Sequence, residues 1–313
     1  MKVVALAGGT GGAKLAHGLQ LVLPPGNLSV VVNTADDTER HGLLVMPDHD
    51  AVMYLLDGRF DNERGWGIDG ETWTVMDELE RYGEEGWFRL GDRDFATHIA
   101  RGARLRSGAS LTDAVRSLQS ARGIPTAILP MADQPVRTQV RTDEGWLDFQ
   151  EYFVRRHQAP EVHEVRFTGI EAARSTSLVE SAFATAEVAI LGPSNPVVSI
   201  GPILAVPGMR ELIVGARARA VPVIGVSGIV GGKALKGPAD RMLTSLGLES
   251  SALGVAALYA DLLDGFVLDT VDARLEGQIQ ELGLRTLVTD TIMADDAGRA
   301  RLAQAVLEFA TSR

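Results

Sequence analysis

The opening stretch, MKVVALAGGTGGAKLAH, constrains this chain most. An apolar run from Val3 to Leu6 breaks into Gly8, Gly9, Thr10, Gly11 and Gly12, then resumes through Ala13, Lys14, Leu15 and Ala16 with helical character. That order predicts strand, glycine turn, helix. Glycines at such a corner permit positive φ and let a bulky anion approach the backbone. The free N–H groups of the turn, together with the helix dipole, favour a phosphate. The spacing is neither GxGxxG nor GxxxxGK[ST], so neither the dinucleotide fingerprint nor the Walker loop applies. A merely tight strand-to-helix corner is the alternative, since α/β units need small residues there anyway.

Composition narrows the class. At 313 residues with 45% apolar residues, the chain is long enough for one large α/β domain or two smaller ones. Its apolar runs are broken by Gly, Pro or charge well before roughly 18 residues, which argues against a membrane span, and the N-terminal run is too short for a signal peptide. With no cysteine, disulfides and thiolate metal sites are excluded, and the six histidines form no H-x-x-H pair. These features fit a cytoplasmic setting. A net charge of −11 argues against general nucleic-acid binding. Acidic residues in a pocket would more naturally hold a hard cation such as magnesium.

Further along, Leu28 to Val32 reads as a second parallel strand ending in Asn33, Thr34, Ala35, Asp36 and Asp37. Ligands of open α/β sheets gather at strand carboxyl ends, so Asn33 and Asp37 are candidates, with an Asx turn as the alternative. Pro47 and Asp48 look like a helix start, placing Asp48 and Asp50 in its first turn. There they either oppose the helix dipole or serve in metal coordination or proton abstraction. Trp66, Trp73 and Trp87 fall close together in a Gly- and charge-rich stretch, as core or as a wall for a flat aromatic ligand. Arg93 opens another helix and reads equally as a surface ion-pair partner or an anion clamp. Ser110 and Asp113 stand in near capping-box order.

The alternation of strand and helix resumes at Ala186. Val188 to Leu191 is a buried-type strand followed by Gly192, Pro193, Ser194, Asn195 and Pro196, with Ser199 beyond. This second polar loop should open on the same sheet edge as the glycine loop. Lys233 and Lys236 lie in a later glycine-rich loop, either neutralising a phosphate or simply solvated. The fold expectation is α/β: a Rossmann-like, doubly wound, mostly parallel sheet in a single domain over 1–313, with a smaller inserted α/β region at roughly 58–165.

Several segments in order, GGTGGAKLAHGL, VVNTADD, PDHDAVMYLLDG, GWGIDGETW, LGDRDFATHI, GASLTDA, ILPMADQPV, FQEYFV, GPSNPVVSIGPIL, PGMREL and GGKALKGPADRM, closely resemble the CofD family, called FbiA in actinobacteria. The resemblance implies a 2-phospho-L-lactate transferase of coenzyme F420 biosynthesis. The acceptor would be Fo, 7,8-didemethyl-8-hydroxy-5-deazariboflavin. The donor would be a guanosine diphosphate adduct carrying a lactyl, enolpyruvyl or glyceryl group, and GMP would leave. Magnesium and a homodimer are also implied.

By motif, Asp50 and Arg93 would contact Fo. Gly8 to Gly12, with Ser194 and Asn195, would flank the guanosine diphosphate moiety. Lys14, Asn33 and Ser199 join the expected donor wall, Asp50 and Asp37 the expected metal set, and Asp50 is the catalytic candidate. Departures from the family pattern stand at His49, Ala51 and Glu71. A competing reading is a non-catalytic nucleotide-sugar sensor of the gluconeogenesis-factor type. That branch continues after its aspartates with a Gly-Gly-Ser-Ser-Gly run, where Thr38, Glu39, Arg40 and His41 stand here. A Rossmann oxidoreductase lacks the spacing and the ribose-binding acid.

Overall fold

The computed structural model describes residues 1–312. The predicted opening unit forms: β1 (Val3–Ala7), α1 (Gly9–Val22) and β2 (Leu28–Val32), with the strands parallel in register from Val3 opposite Leu28 to Ala7 opposite Val32. A short antiparallel pair, β3 (Thr38–Arg40) and β4 (Leu43–Val45), leads into α2 (Pro47–Leu56), with proline in its first turn as the sequence predicts. Next come α3 (Thr74–Arg81), α4 (Asp92–Arg106), α5 (Leu111–Ala121) and β5 (Ala127–Pro130). The Ser110 hydroxyl accepts the Asp113 N–H at 3.0 Å and starts α5.

A three-stranded antiparallel sheet follows, made of β6 (Arg137–Thr142), β7 (Gly145–Asp148) and β8 (Glu164–Thr168), with β6 central. The chain then returns through α6 (Ser177–Thr185), β9 (Val188–Leu191), a π turn at Pro196–Ile200, α7 (Gly201–Ala205), α8 (Met209–Ala218) and β10 (Val223–Val226). A hairpin of β11 (Ile229–Val230) and β12 (Lys233–Ala234) precedes α9 (Ala239–Ser245) and α10 (Ala252–Tyr259). The last unit is β13 (Gly265–Asp269), α11 (Glu276–Glu281), β14 (Arg285–Thr289) and α12 (Asp296–Thr311).

Seven strands make one parallel sheet in the order β14-β13-β10-β9-β1-β2-β5. Helices cover both faces, which is why its strands read as continuous apolar runs rather than alternating ones. The pleat sorts those runs: Val4, Leu6, Val31 and Leu191 join the core beneath α6, α8 and α10, whereas Val3, Ala5, Val30 and Ile190 join the one beneath α1, α2 and α12. Each valine, leucine or isoleucine among them, removed from water, contributes roughly 1.5–3 kcal/mol before entropy is counted.

The stretch 58–165 is not a continuous excursion, because β5 rejoins the central sheet as its edge strand. The physical reason is local. Ile128 and Leu129 are buried, and the Gln119 amide meets both backbone groups of Ile128, donating to its oxygen at 2.7 Å and accepting its N–H at 3.1 Å. A side chain thus closes an edge that would otherwise offer unpaired groups to other chains.

Strand order reverses between β1 and β9: the chain first builds β2 and β5 to one side, then β10, β13 and β14 to the other. Such a switch point leaves a crevice at the strand carboxyl ends. Among the described residues, no single helix is long and apolar enough to cross a membrane; one bent pair, Pro196–Ala205 with Met209–Ala218, is apolar enough in combination, but Ile203, Met209 and Ile213 are buried in the core.

Candidate functional site

A cavity of about 1030 Å³ opens at that switch point. Its two loops come from β1 and β9, as the sequence reading expects, and they are pressed together. A methyl group built on Gly11 would lie 2.2 Å from the Pro193 carbonyl oxygen, and one on Gly12 would lie 2.3 Å from Ser194 Oγ. Ser194 Oγ also accepts the Gly8 N–H at 3.1 Å. Gly9 differs: its φ of +59° needs glycine, yet no atom closer than 4.0 Å would meet a Cβ there. Packing therefore explains Gly11 and Gly12, whereas Gly9 sets the backbone path along the open side.

The first turn of α2 supports this loop. Asp48 Oδ1 accepts the Gly9 N–H at 2.7 Å, and Oδ2 accepts from Asn33 Nδ2 at 2.9 Å. Asn33 also donates to the Val198 oxygen at 3.1 Å and accepts the Ala35 N–H at 2.9 Å. It is a fully engaged strut behind the cavity rather than part of its wall. Asp36 and Asp48 do line the wall. Burial pushes the Asp48 carboxyl up to about 6, and burial together with the nearby Asp48 charge raises Asp36 well above the usual range. Asp36 Oδ1 is buried with no hydrogen-bond partner among the described residues. Asp37 is likewise buried and raised by burial but lies off the cavity wall.

Asp50 reaches the cavity, but its carboxylate is committed. Arg101, fully buried, donates to Oδ1 at 2.6 Å and to Oδ2 at 2.9 Å. Burial alone would raise this group; the guanidinium and His49 outweigh it and hold it far below the usual range. Asp50 is thus a poor proton acceptor, and its charge is already matched by a buried guanidinium rather than left for a metal. Arg93 stands outside the cavity. Its guanidinium donates to the Asp69 oxygen at 2.9 Å, while its backbone N–H is held by Glu71 Oε2 at 2.8 Å. Glu71 Oε1 takes the next amide, Asp94 N–H, at 2.9 Å, so Glu71 caps α4 from a distant loop.

Two regions of wall differ in chemistry. The polar region carries Gly8 to Gly11, Lys14, Ser194, Asn195, Ser199 and Lys236. Only four of the thirty basic residues are lysines, and two of those four face this one cavity. Burial lowers both, and each of Lys14's other perturbers, Arg299 and Lys236, is a further cation. Neither pairs with a carboxylate among the described residues, whereas Lys233 turns away to Asp240 at 3.3 Å. The apolar region carries Tyr54, Trp66, Trp87, Phe88, Leu90, Phe149 and Phe153. Trp73 packs edge-on against Trp66. Local sequence carries no signal for Lys236 over Lys233, nor for the burial of Arg101.

A sequence profile described as "2-phospho-L-lactate transferase CofD" matches residues 3–305. The chain belongs to the CofD family. Among curated CofD relatives, the "2-phospho-L-lactate transferase" of Methanosarcina mazei is 40% identical over 98% of this chain and 99% of its own. The "Phosphoenolpyruvate transferase" of Kitasatospora aureofaciens is 42% identical over 99% of this chain and 98% of its own. Among solved structures, a UPF0052 family member from Bacillus halodurans superposes with a TM-score of 0.62, covering 98% of both chains at 14% identity. That likeness shows the α/β fold.

Proposed function

We propose that this CofD family member transfers a phospho-acyl group from a guanosine diphosphate adduct to the terminal ribityl hydroxyl of Fo, releasing GMP. The observation that carries this reading is one cavity with two chemistries: a cradle of backbone amides and unpaired lysines beside an aromatic lobe. A diphosphate fits the first and a flat deazaflavin the second. The family membership and the names of the relatives from Methanosarcina mazei and Kitasatospora aureofaciens support the reaction class.

Phosphoryl transfer asks the protein mainly to position and to neutralise charge. Glycine-loop amides and Lys14 and Lys236 do this for the diphosphate. Magnesium fits the residues present: Asp36 and Asp48 are hard oxygen donors on the wall, one has an orphaned oxygen, and a cation would relieve their repulsion. Those two would hold it, in place of Asp50 and Asp37. When bound, it would supply further neutralisation of phosphate charge. Trp66, Trp87 and Phe88 would enclose the acceptor ring and exclude water.

The choice among lactyl, enolpyruvyl and glyceryl donors belongs to the assay. Protein, magnesium and Fo are incubated with each adduct, and GMP and the coupled product are sought by mass spectrometry. Release with at least one donor is expected. No release with any of them would overturn the transferase reading.

A further inference from the structure

The inner end of the aromatic lobe holds a group that the reaction scheme leaves unused. Asp94 and His98 stand one turn apart on α4, and both line the cavity. His98 is completely buried, and Arg101 lies 2.8 Å from its Nδ1. A guanidinium only donates hydrogen bonds, so Nδ1 accepts and the ring proton sits on Nε2. That N–H has no hydrogen-bond partner among the described residues. Asp94 Oδ1 is 3.2 Å away but out of line, and it already accepts from the Tyr54 hydroxyl. Asp94 keeps 9% of its side-chain exposure, so its carboxylate is not sealed from the cavity. A buried donor left without a partner is costly, and proteins rarely keep one without a use for it.

We propose that His98 and Asp94 read the imide edge of the acceptor's heterocycle. His98 Nε2–H donates to a ring carbonyl, and Asp94 accepts the adjacent ring N–H. A donor and an acceptor side by side are the complement of a carbonyl next to an N–H. The surroundings suit a flat ring, because Phe95, next to Asp94, packs with Phe88 and Leu90 on the aromatic wall. A metal ion fits this spot poorly, although Asp50, Asp94 and His98 approach one another closely. The Arg101 guanidinium, bonded to both Asp50 and His98, already places a fixed positive charge within that cluster.

This assignment rests on Fo being the acceptor, and the test separates the two. Fo and an analogue methylated at the imide nitrogen are titrated into wild-type protein and followed by deazaflavin fluorescence. The methylated ring is expected to bind at least about tenfold more weakly, because a site built to pair an N–H rejects a ligand that lacks it. Equal binding of both overturns the imide assignment and leaves the acceptor reading standing; binding of neither overturns both. In steady-state kinetics, His98→Phe should raise KM for Fo with little change in kcat or in the donor KM, and His98→Gln, which keeps an N–H donor, should recover part of the loss. A parallel rise in both KM values would mark His98 as merely structural and sink the proposal.

Discussion

Asp48 accepts the Gly9 N–H at 2.7 Å with one oxygen and Asn33 Nδ2 at 2.9 Å with the other. One carboxyl group therefore ties the glycine loop after β1 to the end of β2. In Asp48→Asn, the new amide would face at least one of these donors with a donor of its own. The loop would lose half of its tie and the wall one of its charges. We expect transfer activity to fall at least about a hundredfold, with unchanged far-UV circular dichroism. Near-normal turnover would remove Asp48 from the site.

The same neighbourhood sets a pH dependence. Burial raises Asp48 from 3.8 to about 6 and raises Asp36 as well, so the folded chain holds protons that the unfolded chain has released. Stability from Asp48 therefore falls as pH climbs from about 4 to about 6, and the raised Asp36 adds to the loss in the same direction. Measured by thermal melts without ligand, Asp36→Asn should gain on wild type across that interval. Added magnesium should raise the wild-type midpoint at pH 7 more than at pH 4.5, where the carboxyls are protonated. A cation effect that is absent, or unchanged in Asp36→Asn, would discard Asp36 as a holder.

Arg101 and Asp50 form a buried bidentate pair, 51 residues apart in sequence. Arg101→Met would strand the Asp50 charge in the interior, and breaking such a pair costs roughly 3–5 kcal/mol. The double variant Asp50→Asn with Arg101→Met should recover much of that loss, as seen in urea titrations. If the double variant is no more stable than the single one, the pair is not what holds α2 against α4.

The distance between those partners also explains what the sequence conceals. Parallel strands buried on both faces announce themselves, so Val3 to Leu6 and Val188 to Leu191 are legible, as is the meeting of the loops that follow them. Arg101 sits in a run, RGARLR, that reads as a solvated basic face, and only a tertiary contact turns it inward. Within NTADD and PDHD the local pattern marks the right segments, but which aspartate faces the cavity depends on helix phase and on the position of Arg101. Asp36 and Asp48 reach the wall with no cationic partner among the described residues, whereas Asp37 is turned off it and Asp50 is neutralised. The run from Ile124 to Met131 reads as a strand and forms β5, but its place beside β2 is a long-range pairing that local sequence does not show.

Glycines in the first loop should respond differently to alanine. In Gly11→Ala the new methyl meets the Pro193 backbone, which cannot move without disturbing β9, and overpacking of this kind costs about 1–3 kcal/mol. Gly9→Ala has room, and its penalty is the left-handed backbone alone, about 1–2 kcal/mol. Chemical denaturation should therefore rank Gly11→Ala as the more damaging. Crevice closure should track the same order, read as loss of affinity for GDP. Equal behaviour would show that the loops can part freely.

Lys236 offers the sharpest separation between a structural and a ligand-binding role. Its ammonium occupies the space where a Gly65 side chain would stand: a methyl built there lies 1.4 Å from Nζ. It has no carboxylate partner among the described residues, and it shares the cavity with Lys14, whose ammonium burial and neighbouring cations already strain. Two such cations gain a counter-ion when a diphosphate arrives. Lys14→Met and Lys236→Met should each raise the donor KM by about tenfold, equivalent to about 1.4 kcal/mol. The acceptor KM should stay unchanged, and the dependence of donor binding on ionic strength should weaken. Gly65→Ala keeps the charge but evicts the ammonium from its notch, so it should alter the donor KM less than Lys236→Met does. If Lys236→Met instead lowers the melting temperature and leaves the donor KM alone, Lys236 serves only to plug the notch at Gly65.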